Sequence, residues 1–186
     1  MKYMKNLTRA FSVYCSLLLV LMVSNSLYSQ EWQTPLIDGY GEIKYFDKAA
    51  EQPDPNQEYK LLFDVTSNQQ KQGVNKRLWI VARTLNMMHV AQVPLSNVTI
   101  VVAVHGAATF NLLTEEAHQK RFGKSNPNLD LIAKLKSKGV KLFVCSQATA
   151  ARNISADDIH PAVVPALSAL SVLSNYQSKG YSLMPK

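Results

Sequence analysis

Nucleophilic chemistry in this chain comes down to one thiol. Of its two cysteines, Cys15 falls in an amino-terminal apolar run, whereas Cys145 closes the buried-type stretch VKLFVC (140–145) inside GVKLFVCSQATAARNI (139–154). The small residues that follow read as a helix start. At a strand-to-helix junction, unpaired backbone N–H groups and the helix dipole favour a thiolate. A thiolate so placed is both a nucleophile and a sulfur acceptor. Arg152, one helical stretch further on, adds positive charge if its side chain folds back. Cys145 also has a plainer reading as a small buried hydrophobe, since free cysteine is among the most buried residue types. His105 ends the apolar run NVTIVVAVH (97–105) and precedes Gly106, which permits a turn. It is either a satisfied strand-end histidine or a base and hydrogen-bond partner for the thiol, the latter requiring the two strands to be neighbours.

Other chemistries lack their motifs. There is no G-x-G-x-x-G, no G-x-x-x-x-G-K-[ST] and no G-x-S-x-G, so no phosphate-cradling loop and no nucleophile elbow are expected. The four histidines, His89, His105, His118 and His160, show no H-E-x-x-H spacing, and no C-x-x-C pair exists. No metal and no cofactor are expected. Asn97 and Asn153 match the glycosylation sequon, a short pattern that recurs by chance.

The elements that must position these residues begin after an export signal. Lys2, Lys5 and Arg9 form a basic start, residues 10–23 are apolar, and 24–29 are small and polar. Residues 1–29 are expected to be a cleaved signal peptide, which makes the protein periplasmic or secreted. The run is shorter than the ~20 residues of a membrane span, so no membrane attachment is expected after cleavage. Cleavage takes away three basic residues and lowers the formal charge from +7 to +4. With the remaining lysines scattered and no basic stripe, no nucleic-acid partner is expected. It also leaves Cys145 as an odd cysteine: buried and inert, paired with another chain, or reactive.

Residues 30–58 read as an extended arm whose Trp32, Leu36, Ile37, Tyr40, Tyr45 and Phe46 lie on a surface, its own or a neighbour's. From residue 59 to 186 strands alternate with helices. Strands are expected at 59–65, 97–105, 140–145 and 162–164, with an edge strand in the tail YSLMP. Helices are expected over 75–88, from Thr114 to Gly123, from Asn126 to Gly139 with Leu129, Ile132 and Leu135 inward, and from Ala166 through Tyr176. The fold class is therefore α/β, a mostly parallel sheet between two helical layers. Ligands and chemistry in such sheets gather beyond the carboxyl ends of the strands. Asp64 to Ser67, His105 with Gly106, and Cys145 with Ser146 lie there.

CSQATAARNI preceded by GVKLFV resembles the cysteine segment of the DsrE/DsrF-like family, in which small residues, an arginine and usually a glycine follow the cysteine. Arg152 fills the basic place. Asn153 stands where the glycine would be, and asparagine tolerates the left-handed backbone a turn needs there. The resemblance runs from about residue 59 to 181 and is closer to the exported branch of the family, through YKLLFDVT, VVAVHGAA, NPNLDLIAKLKSKGVKLFVC and a last helix followed by KGY. It implies a three-layer α/β/α sandwich of about five strands that assembles into homo-oligomers, trimers or hexamers. It also implies a persulfide on Cys145 in a sulfur relay, with a sulfur donor or acceptor protein as partner. Two function classes stay open: a thiol-based sulfur carrier or sulfurtransferase-like protein using Cys145, Arg152 and His105, and a non-catalytic oligomeric ligand-binding or scaffold module in which Cys145 is packing.

Overall fold

The computed structural model describes residues 31–185, so the signal peptide read at 1–29, with Cys15, lies outside the described residues. Five strands form one parallel sheet: β1 (Tyr59–Val65), β4 (Val98–Val104), β5 (Lys141–Cys145), β6 (Val163–Ala166) and β7 (Ser182–Leu183), in the order β6-β5-β4-β1-β7. Its middle is buried on both faces, which is why VTIVVAV reads as a continuous apolar run. The chain steps outward from β1 through β4 and β5 to β6, then returns across the sheet to place β7 beside β1.

One face is covered by α1 (Lys76–Val90) and α3 (Leu129–Ser137). Leu78, Trp79, Val81, Leu85, Leu131, Ile132 and Leu135 pack there against Phe63, Val102 and Val144. The opposite face carries α5 (Ala169–Ser178), whose Ala169 and Val172 pack with Leu62, Val101, Ala103 and Cys145. These are the three layers expected. Two further helices are α2 (Glu115–Phe122), capped by Thr114 and ended by left-handed Gly123, and α4 (Ser146–Ala150), which follows β5 without a break.

Local departures have local causes. The polar segment after β1 forms a hairpin of β2 (Gln70–Lys71) and β3 (Val74–Asn75), two strands too short to show alternation. Its turn, Gln72 and Gly73, has positive φ at both positions. Asn126 does not start α3. It is buried, and its Nδ2 donates to Asn111 O and Leu113 O, while the helix begins at Leu129 and buries Leu131 rather than Leu129. Ala166 is the last residue of β6, and Ser168 caps the helix expected to start there.

The arm lies along α1. Asn86, fully buried, accepts from Leu36 N and Ile37 N through Oδ1, and its Nδ2 donates to Tyr40 O and Gly41 O. Ile37 is thereby drawn into the core at 1% exposure, with Leu36 and Tyr40 packed against it. Gly41, at φ +67°, approaches so closely that a Cβ there would sit 2.1 Å from Arg83 N. Trp32, Tyr45 and Phe46 remain exposed, Trp32 beneath the cations of Lys44 and Arg83.

Candidate functional site

Strand alternation puts three chemically active residues on one face of the sheet. Leu62, Ala103 and Cys145 all point toward α5. Asp64 stands two residues past Leu62 and His105 two past Ala103, so both share that face at the carboxyl edge. Val104 pairs with Val144, which places His105 beside Cys145 in the register of adjacent strands β4 and β5. The adjacency needed for a thiol–imidazole contact therefore exists. The imidazole, however, uses Nε2 to meet Asp64 Oδ1 at 2.8 Å on the other neighbour, β1.

The thiol instead faces the start of α5. Cys145, 6% exposed, donates from Sγ to Ser168 Oγ at 3.9 Å. Ser168 is the helix cap: its Oγ accepts from Leu170 N, and its N–H donates to Ser171 Oγ in a reciprocal capping box. Burial pushes the Cys145 thiol up. The amides of Ala169, Ala148 and Gln147 and the hydroxyl of Ser168 outweigh it, so the pKa is lowered from the ordinary 9.0. Two helix starts thus converge on one sulfur, as a thiolate requires.

Arg152 has another occupation. Its Nη1 donates to Ala148 O at 3.0 Å, its guanidinium lies 5.8 Å from the Phe110 ring centre, and its own carbonyl accepts from Arg121 Nη2. The groups that acidify Cys145 are the amides and Ser168, with Arg152 not among them. Asn153 adopts φ +50°, the left-handed conformation that the glycine of the resembling segment implies. Asp64 and Ser168 were not singled out in the sequence. Ser168 had a signal in the S-A-L-S start of a helical pattern, but Asp64 had only its position at a strand end.

Behind β5, on the face opposite the thiol, Val144 borders a cavity of about 520 Å³ with Ser146, Thr149, Asp157 and His160. His160 Nδ1 accepts from Ala162 N, and burial lowers the ring's pKa, so the neutral ring presents Nε2–H as a donor. Among the described residues no group of three or more His, Cys, Asp or Glu is placed to hold a metal, and no helix is long and apolar enough to cross a membrane.

The profile of the DsrE/DsrF-like family matches residues 51–185, the whole sandwich and the end of the arm. The chain belongs to this family. Among solved structures it is similar to a protein of unknown function, MTH1491 from Methanobacterium thermoautotrophicum, at 18% identity and a TM-score of 0.53 over 68% of this chain and 98% of that one. At that identity the likeness is one of fold. No curated protein matches the chain. For a DsrE/DsrF-like chain the α/β/α sandwich is the expected scaffold.

Proposed function

We propose that this DsrE/DsrF-like protein is exported and carries sulfane sulfur on Cys145 as a persulfide. The observation that carries the reading is the setting of the thiol: the described residues hold a single cysteine, at the carboxyl end of a central strand, its pKa lowered by the Ala169, Ala148 and Gln147 amides and the Ser168 hydroxyl. In the transfer step the Cys145 thiolate attacks the outer sulfur of a donor R–S–SH. The new S–S bond forms as the donor's breaks, R–S⁻ leaves with the electron pair, and the proton stays on the transferred sulfur. No oxidant is consumed. The 6% exposure of Cys145 favours a small linear sulfur species over a bulky reagent. Release of that proton to solvent gives the resting persulfide anion, held beside the same donors, and its return gives the neutral outer sulfur that an acceptor thiolate attacks.

Export rests on the basic and apolar residues of the first 29 positions. Self-association as a trimer or hexamer is part of the proposal. Val164 on edge strand β6, with Leu167 and Leu170 at 74% exposure each, forms an apolar patch beside the thiol that a second copy would cover.

The test is intact-mass measurement after exposure to polysulfide and desalting. Wild type is expected to gain about 32 Da, one sulfur atom on a thiolate, and Cys145→Ser to gain none. If wild type gains nothing, or Cys145→Ser gains as much, the carrier reading fails. The cavity beside His160, which Cys145 does not line, then favours the ligand-binding reading.

A further inference from the structure

We propose that the cavity behind β5 is a binding site for a small organic monocation, an amine on an apolar body that also carries a hydrogen-bond acceptor, with Asp157 meeting the cationic end and His160 Nε2–H the acceptor. The cavity has a volume of about 520 Å³ and is not lined by Cys145, whose thiol lies on the opposite face of the sheet. Binding there does not depend on whether Cys145 carries sulfur.

The wall of this cavity is tied down on both sides. Residues 154–162 return from α4 to β6, and the segment before α2 holds the middle of that return. Leu113 and Ile159 form an antiparallel bridge, Thr114 N donates to Asp158 O at 2.8 Å, and His160 N donates to Leu112 O at 2.9 Å. Within the return, Ser155 N donates to Asp158 Oδ2 and Asp158 N to Ser155 Oγ. The site is therefore formed before a ligand arrives, as small-molecule sites usually are. Val144, Ile159, Val163 and Pro165 give it an apolar lining.

The polar groups select the ligand class. Ala162 N donates to His160 Nδ1 at 3.1 Å, which fixes the proton of the neutral ring on Nε2. A proton on Nδ1 as well would set one N–H against another, and burial also lowers the ring's pKa. Neither His160 Nε2 nor the Ser146 hydroxyl has a partner among the described residues. Neither is sealed off, since the buried side-chain nitrogens and oxygens without a partner are those of Arg77 alone. Both can be reached by an acceptor on the ligand. Asp157 is the one ionised side chain of the lining, exposed and without a hydrogen bond or ion pair among the described residues. Its neighbour Asp158 is engaged by Ser155 and lies near Lys120 and Arg121, which offset its charge. One free carboxylate beside a neutral imidazole favours a monocation and disfavours an anion. The volume falls within the roughly 300–1,000 Å³ of small-molecule sites, more than a bare ammonium fills, and the apolar lining suits an organic body.

The test is calorimetric titration of the full chain at constant ionic strength and neutral pH with three probes of one shape. Tyramine carries the amine, the ring and a hydroxyl acceptor; phenethylamine lacks the hydroxyl; 4-hydroxyphenylacetate replaces the amine by a carboxylate. Tyramine is expected to bind saturably at one per chain, phenethylamine about fivefold more weakly for the lost hydrogen bond, and the anion weakest. His160→Asn sets an amide oxygen where Nδ1 accepts from Ala162 N but removes Nε2–H. It should weaken tyramine by about fivefold and leave phenethylamine unchanged, a split that a merely structural role would not produce. Asp157→Asn, at an exposed position, should weaken both amines by about threefold and carries the test if His160→Asn does not fold. Cys145→Ser should bind as wild type does. No saturable tyramine binding, an anion bound as tightly as the amines, equal losses of tyramine and phenethylamine in His160→Asn, or unchanged binding in Asp157→Asn would each overturn the proposal.

Discussion

Replacing Asn86 with alanine should detach the arm while the sheet stays formed. The side chain makes four hydrogen bonds to the arm, two buried and two partly buried, at 3.0 Å to Leu36 N and 2.9 Å each to Ile37 N, Tyr40 O and Gly41 O. At about 1 kcal/mol net apiece they contribute roughly 4 kcal/mol. Leaving the four backbone groups buried and unpaired would cost about 1–3 kcal/mol each, so the arm escapes that penalty only by moving into water. What would still hold it is the Ile37 side chain, worth about 1.5–3 kcal/mol, with the partly buried Leu36 and Tyr40 and the bonds from Arg83 Nε to Glu42 O and from Lys134 Nζ to Asp38 O. Ordering the backbone from Gln33 to Ile43 costs about 1 kcal/mol or more per residue, and the Ile37 contact cannot offset that alone. Hydrogen exchange reads the result residue by residue: the Ile37 amide should lose its protection in Asn86→Ala while that of Val102, in the sheet centre, persists. Gly41→Ala should give the same pattern by a different route, since its Cβ would meet Arg83 N at 2.1 Å. An Ile37 amide as protected in Asn86→Ala as in wild type would refute the clamp.

Ser168→Ala removes one donor to the thiolate, so the pH profile of Cys145 alkylation by a small reagent should move upward; an unmoved profile would remove Ser168 from the site. The same change deletes a helix cap and should cost about 1 kcal/mol of stability in urea unfolding. Because the folded pKa of Cys145 is lowered from 9.0, its thiolate stabilises the fold above that ordinary value, and the contribution is lost as pH falls through the lower folded value. The stability advantage of wild type over Cys145→Ser should therefore widen as pH rises toward 9.0, and a constant or narrowing gap would contradict the lowered pKa. Leu167→Asp with Leu170→Asp should convert the proposed oligomer to monomer by light scattering with an unchanged melting profile of the monomer; an unaltered assembly would place the interface elsewhere. Asn126→Ala, which strips partners from Asn111 O, Leu113 O and Asn128 N, should destabilise the fold by about 2–4 kcal/mol in the same unfolding assay.

What the sequence determined by itself is what short-range pattern can encode. The apolar runs within β1, β4 and β5 mark strands buried on both faces, the spacing of Leu78, Val81, Ala82 and Leu85 marks the inner side of α1, and Gly123 and Asn153 mark the left-handed positions that end helical segments. Strand alternation even carries His105 and Cys145 to a common face once their strands are neighbours. Partners distant in the chain were decided only by the tertiary structure. The His105 ring had neighbours on both sides, and it met Asp64, 41 residues earlier, because β4 is flanked by β1 as well as β5. Arg152 turned back to the carbonyl of Ala148, four residues before it, which no charge-based reading of the segment discloses. The amides that acidify Cys145 come partly from α5, whose start reaches the sulfur only because the chain crosses back over the sheet from β6 to β7. Periodicity reports which way a side chain faces relative to its own element. Which group waits on that side depends on how the elements pack, and that is set by the burial of all of them together.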